Sequence, residues 1–206
     1  MKAIMKTLSA ILICCFISTI QMYGENIQRP ESENYVKGVE ALNEGNPEAA
    51  YTYLNAEINE HPDNGYAHCY MALICNFCND TKLALQALNS SLELIPEADT
   101  EYRSFAHYSR GVLLSNLKMW ERAEADLNEA IRLNPEDVEN YKSRAQLYFE
   151  TERYEESLDD LTRALKLDSK ADVNDLMLQL MAVAPTSEFM ERITATYQQL
   201  DQVTIH

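Results

Sequence analysis

The sequence predicts an all-α protein built from consecutive antiparallel helix pairs, and three observations lead there. First, the phrases EINEHP, LELIP, AIRLNP and ALKLDS close successive segments, with Pro62, Pro96, Pro135 and Ser169 at one register position. The first and last intervals are 34 residues and the middle one is 39, so about five extra residues fall around EADTE, Glu97 to Glu101. Second, small and large residues recur inside each segment. Gly38, Ala72, Gly111 and Ala145 share one position, Ala50, Ala84, Ala123 and Ser157 a second, and Leu54, Leu88, Leu127 and Leu161 a third. The small residues let two helices approach and the leucines fill the space beside them. Third, Gly (5) and Pro (6) are scarce while Leu, Ala and Glu are abundant, a balance that favours helix.

The chain begins with a separate object. MKAIMKT carries Lys2 and Lys6 without an acid, and Leu8 to Ile20 is then almost wholly apolar. A basic start and a short apolar run read as a secretory signal over residues 1–24, and the run is short for a membrane span. Gly24 is one candidate for the last removed residue. The alternative is a lipoprotein leader acylated at Cys14 or Cys15, although the Ile13 and Cys14 that precede them fit a lipobox poorly.

Residues 31–170 carry four of the helix–turn–helix units. In the first, Gly45 suits a left-handed turn and Pro47 the first turn of the next helix. In the third, one helix is expected over Phe105 to Asn116. A second is expected over Trp120 to Leu133, with Trp120, Ala123, Leu127 and Ala130 on one stripe. Asp137 is the expected cap of the helix that follows. Ala130 and Ala164 add a further small position, which Glu57 and Ser91 replace in the first two units, so packing there must differ. Residues 172–206 read as a degenerate fifth unit or capping helices, with Phe189, Ile193 and Tyr197 along one face. Leu176, Met177, Leu180 and Met181 would serve a structural role if they closed a homodimer.

This pattern resembles the tetratricopeptide repeat family. Gly111, Trp120, Ala123, Leu127, Ala130 and Pro135 follow the family's motif, as do Ala145, Tyr148, Tyr154, Ser157, Leu161 and Ala164. The second unit is weaker, with Thr81 where the family has an aromatic residue. The resemblance implies a right-handed superhelix, an α-solenoid whose first helices line a concave groove. Carried over residue by residue, the groove positions are Tyr35, Val39 and Leu42, then Tyr66, Cys69, Leu73, Asn76 and Phe77. Phe105, Tyr108, Val112 and Ser115 follow in the third unit, and Glu139, Lys142, Gln146 and Phe149 in the fourth. The aromatic members suit an extended or helical peptide. One subclass of the family clamps an acidic C-terminal carboxylate with Lys, Asn and Arg. Tyr35, Val39, Tyr70, Phe105 and Ser109 stand at those positions here, so that mode is not expected.

Charge narrows the partners. The formal net charge is −16, and removal of residues 1–24 takes away two lysines and no acid. Like charge disfavours nucleic acid and anionic lipid, so the expected partner is a protein or peptide, a basic one fitting the charge best. Contact with a membrane is expected only through an N-terminal anchor. No catalytic, cofactor or metal residues are assigned. Cys75 and Cys78 fall at the C-terminal end of a helix, where its dipole does not favour a thiolate. A structural disulfide between them stays open. His61, His68, His107 and His206 lack convergent spacing. The sequence therefore points to an exported, non-catalytic scaffold that binds protein or peptide. The alternatives are an accessory subunit of an envelope assembly and the non-catalytic N-terminal region of a longer enzyme.

Overall fold

The computed structural model describes residues 27–184 and 186–203, with side chains to Thr196. The expected leader, residues 1–24, and the side chain of Tyr197 lie outside the described residues. Within them the chain is all-helical. It divides into two compact units, residues 1–113 and 114–206.

Unit 1 contains α1 (Glu33–Asn43), α2 (Pro47–Glu60), α3 (Gly65–Phe77), α4 (Thr81–Leu94) and most of α5 (Thr100–Asn116). Helix α1 packs on α2, α2 on α3 and α3 on α4. The recurrent small residues explain the close approach. A Cβ on Gly38 would lie 2.6 Å from Leu54 Cγ, and Ala50, Leu54 and Ala84 are fully buried. Gly65 is also tight, since its Cβ would meet the Ile95 backbone nitrogen at 2.8 Å. Helix α5 begins five residues before the expected Phe105. The inserted segment supplies its start: Asp99 accepts from the Tyr102 N–H through its side chain and from the Arg103 N–H through its carbonyl.

Unit 2 contains α6 (Trp120–Leu133), α7 (Val138–Glu150), α8 (Tyr154–Leu167), α9 (Asn174–Val183) and α10 (Ser187–Val203). Helix α6 has the expected bounds, and Asp137 caps α7 by accepting from the Glu139 N–H at 2.9 Å. Helix α6 packs on α7 and α7 on α8, and both α9 and α10 pack on α8. Leu158, Leu161, Met177, Leu180, Phe189 and Ile193 form the buried centre. This bears on the homodimer named as a sign of a structural role. Leu176, Met177 and Leu180 are buried in the core of their own unit and Met181 packs against it, so they are not a surface on which a homodimer closes.

The turn within a pair recurs at Gly45, Asn79, Lys118 and Glu152, each in the left-handed region with φ between 58° and 71°. In all four, that residue's N–H bonds to the carbonyl three residues back. The next N–H bonds to the carbonyl five residues back, as Asn46 does to Ala41 and Arg153 to Tyr148. Two otherwise orphaned helix carbonyls are thereby satisfied at each turn.

Candidate functional site

The first helices of the pairs hold the residues expected along a groove, and burial divides them. In unit 1, Tyr35, Tyr66 and Phe105 are buried in the core, as are Leu42 and Cys69. Burial pushes the Cys69 thiol up to about 12. Val39, Leu73 and Tyr108 are half-buried against the same core, Val112 is half-buried, and Phe77 is 42% exposed. Phe105 and Tyr108 stack with ring centroids 6.4 Å apart. In unit 2, Lys142 is half-buried and ion-paired with Glu139 at 2.7 Å, Gln146 is exposed, and Phe149 packs on Tyr154 at 5.6 Å. Of the groove positions expected in unit 1, Asn76 and Phe77 are therefore exposed, and Val39, Leu73, Tyr108 and Val112 are half-buried.

The buried aromatic residues form a tyrosine cluster. Tyr66 and Tyr102 meet edge to face at 4.8 Å, and Tyr70 and Tyr35 continue the contact at 6.1 Å. The hydroxyls of Tyr70 and Tyr102 are 2.9 Å apart. Burial raises all four phenols, with Asp99 adding to the effect at Tyr66. They are neutral hydrogen-bonding groups at any physiological pH.

Arg29 closes this cluster from outside. Its Nε lies 3.2 Å from Asp99 Oδ2, and its Nη2 lies 3.3 Å from Asp99 Oδ1 and 3.0 Å from Glu101 Oε2. Its Cζ sits 4.6 Å from the centroid of the Tyr102 ring. Asp99 is 1% exposed and also accepts from the Tyr66 hydroxyl at 3.0 Å. Burial alone would pull the guanidinium pKa down, but the bonds to Asp99 and Glu101 outweigh it and raise it. Sequence reading did not single out Arg29, Asp99, Glu101 or Tyr102 for function. The signal available was the break in period at Glu97 to Glu101, since insertions in a repeat are loops on which function is placed.

Other chemistry-bearing groups are dispersed. Cys69, Cys75 and Cys78 are free thiols. His68 Nε2 is 2.9 Å from the Pro62 carbonyl. Among the described residues no group of three or more His, Cys, Asp or Glu side chains is arranged to hold a metal ion, and no helix is long and apolar enough to cross a membrane. A surface pocket of about 290 Å³ is lined by Pro30, Ser32, Glu57 and Asn64 among others. There the Asn64 amide donates to Glu57 Oε1 at 2.8 Å.

Helix pairs with this turn and this packing define a helical repeat protein. Residues 104–137 and 139–170 each match a family model described as Tetratricopeptide repeat, so the chain carries tetratricopeptide repeats there. It is 31% identical over 87 residues to a Lipoprotein NlpI homolog of Haemophilus influenzae, a match covering 42% of this chain and 28% of that one. It is 24% identical over 143 residues to human Tetratricopeptide repeat protein 6, covering 69% and 26% respectively. The matched regions thus span under a third of these relatives. Among solved structures, MamA of Desulfovibrio magneticus RS-1 is similar with a TM-score of 0.65 at 19% identity, covering 82% of this chain and 94% of that one. A thermophilic TPR protein of Thermus thermophilus gives 0.60 at 18%, covering 83% and 90%. The fold is that of a tetratricopeptide-like helical solenoid, a scaffold of the kind that serves protein interactions.

Proposed function

We propose that the chain is exported and binds a protein or peptide non-covalently through the first helices of its pairs. The observation that carries this reading is the half-exposed apolar set on α3 and α5. Phe77 is 42% exposed at the end of α3 with Leu73 one turn before it, and Tyr108 and Val112 sit one turn apart on α5. Aromatic side chains offer large contact area for little lost rotamer entropy, which makes them natural anchors for a bound segment. The basic and apolar start of the chain supports export, and the lipoprotein relative adds weight to an envelope location.

The test has two arms. An array of peptides from the host's envelope proteins is screened with the chain lacking residues 1–24, and hits are titrated by calorimetry. Phe77→Ala and Tyr108→Ala are each expected to weaken binding by about tenfold, an anchor's worth of about 1.4 kcal/mol, with helicity unchanged. Equal affinity in both variants overturns the groove reading. Fractionation of the host cell tests export separately, and recovery of the uncleaved chain in the cytoplasm overturns that part.

A further inference from the structure

Arg29 sits in a place built for a guanidinium. The planar group receives one carboxylate edge-on from Asp99, a second from Glu101 and an aromatic face from Tyr102. Asp99 is fixed by two further donors, the Tyr66 hydroxyl and the Tyr102 N–H, so its carboxylate is oriented before any cation arrives. A two-point carboxylate contact combined with ring stacking selects arginine over lysine, because only the planar fork satisfies both. Both carboxylates come from the segment that breaks the repeat period, Glu97 to Glu101. Helix packing in the other repeats proceeds without such a segment, so stacking does not require it.

The occupant, by contrast, comes from a segment outside the helices. Residues 27–31 belong to no helix, and Arg29 lies 70 residues from Asp99 along the chain. The Arg29 side chain keeps 22% exposure and that of Glu101 21%, so the site opens to solvent at its edge.

We propose that Asp99, Glu101 and Tyr102 form a receptor for an arginine side chain, that Arg29 fills it in cis, and that an arginine on a bound peptide exchanges with it. The exchange step rests on the peptide-binding reading above; the receptor itself does not. The N-terminal segment then acts as an internal competitor that lowers affinity for every ligand lacking an arginine at the matching place. The acidic balance of the chain favours such a cationic ligand over any anionic one.

The probe is N-acetylarginine amide, followed by chemical shifts of the Tyr102 and Glu101 amides, with N-acetyllysine amide as control. If Arg29 holds the site about nine-tenths of the time, Arg29→Ala binds the arginine probe about tenfold tighter than the unaltered chain. Arg29→Gln, which keeps part of the aliphatic stem, is measured beside it and is expected to behave alike. Adding Glu101→Gln to either variant is expected to weaken the arginine probe by about threefold without loss of helicity. Equal affinity of the unaltered chain and both Arg29 variants overturns the proposal, as does equal binding of the arginine and lysine probes. A chain that passes this test while Tyr108→Ala leaves every peptide affinity unchanged defeats the groove reading and keeps the receptor.

Discussion

In unit 1 the turns within helix pairs are Gly45–Asn46 and Asn79–Asp80; in unit 2 they are Lys118–Met119 and Glu152–Arg153. The four share left-handed backbone angles and the same pair of hydrogen bonds. Their chemistry differs. Unit 1 uses glycine and asparagine at the left-handed position, and Asn46 and Asp80 then cap the next helix by accepting from the N–H groups of Ala49 and Leu83. Unit 2 forces Lys118 and Glu152 into the same angles, and Met119 and Arg153 make no side-chain cap. Unit 2 instead joins neighbouring helices by cationic side chains. Arg153 lies 4.1 Å from the Tyr148 ring and pairs with Glu124 at 2.9 Å, while Arg144 grips Asp160 with two bonds of 2.7 Å. One backbone solution therefore has side-chain caps beside it in unit 1 and none in unit 2, where Arg153 and Arg144 make ion pairs between helices.

The largest break in this comparison is expected at Arg144. Asp160 is 5% exposed, and Arg144 supplies its cationic partner. Arg144→Met leaves that carboxylate buried without its partner and is expected to cost about 3 kcal/mol in urea unfolding followed by circular dichroism. Adding Asp160→Leu is expected to recover much of the loss, because the penalty belongs to the orphaned charge. A double variant no more stable than Arg144→Met would show that packing, and not charge, holds this site.

Next in size are the caps. Asn46→Ala and Asp80→Ala are each expected to lose about 1 kcal/mol. Met119→Asp introduces the missing cap into unit 2 and is expected to gain a similar amount, also near 1 kcal/mol. Thermal or urea unfolding that shows Met119→Asp neutral would mean the first turn of α6 already has its donors satisfied.

These turns also mark how far the sequence could be read. Gly45 and Pro47 announce their geometry, because one tolerates positive φ and the other has φ fixed for a first helical turn. Lys118 and Glu152 announce nothing, since any surface residue fits their side-chain environment and only the repeat register places them in the left-handed region. The helix bounds Trp120–Leu133 were legible because stripe and punctuation agreed. The start of α5 was not, because the inserted Asp99 caps a helix that the repeat pattern alone begins at Phe105. The groove positions were legible as helix faces but not as exposed surface. That Tyr66 is covered depends on Asp99 and Tyr102, contacts across more than 30 residues that no local pattern encodes.

A smaller effect of opposite sign is expected on relieving the left-handed residues of unit 2. Lys118→Gly and Glu152→Gly each remove strain of about 1 kcal/mol but add freedom to the unfolded chain, so a net gain of about 0.5 kcal/mol is expected from urea midpoints. Gly45→Ala, where no neighbour obstructs a Cβ, isolates the conformational cost alone and is expected to lose about 1 kcal/mol. Gains at both unit 2 turns with a loss at Gly45 would confirm that unit 2 carries strain that unit 1 avoids.

The finest contrast lies in the caps that open α3 and α7. Asn64 and Asp137 stand two residues after Pro62 and Pro135, so they are equivalent, but one is neutral and the other ionisable. Burial pushes the Asp137 carboxyl above its ordinary 3.8, and Glu139 adds to this, while the N–H bonds of Glu139 and Asn140 and the charge of Lys142 pull it back in part. A raised value means that the folded chain keeps this proton to a higher pH than the unfolded chain does. The stability it contributes is fully present below 3.8 and is lost as pH rises through the raised value. Asp137→Asn keeps a capping oxygen and removes the titration. The stability of the unaltered chain relative to Asp137→Asn is therefore expected to fall as pH rises from below the ordinary 3.8 through the raised value. A difference that stays flat, or that rises with pH, would show that the cap's N–H bonds outweigh its burial and that Asp137 works as a charged counterpart of Asn64 without penalty.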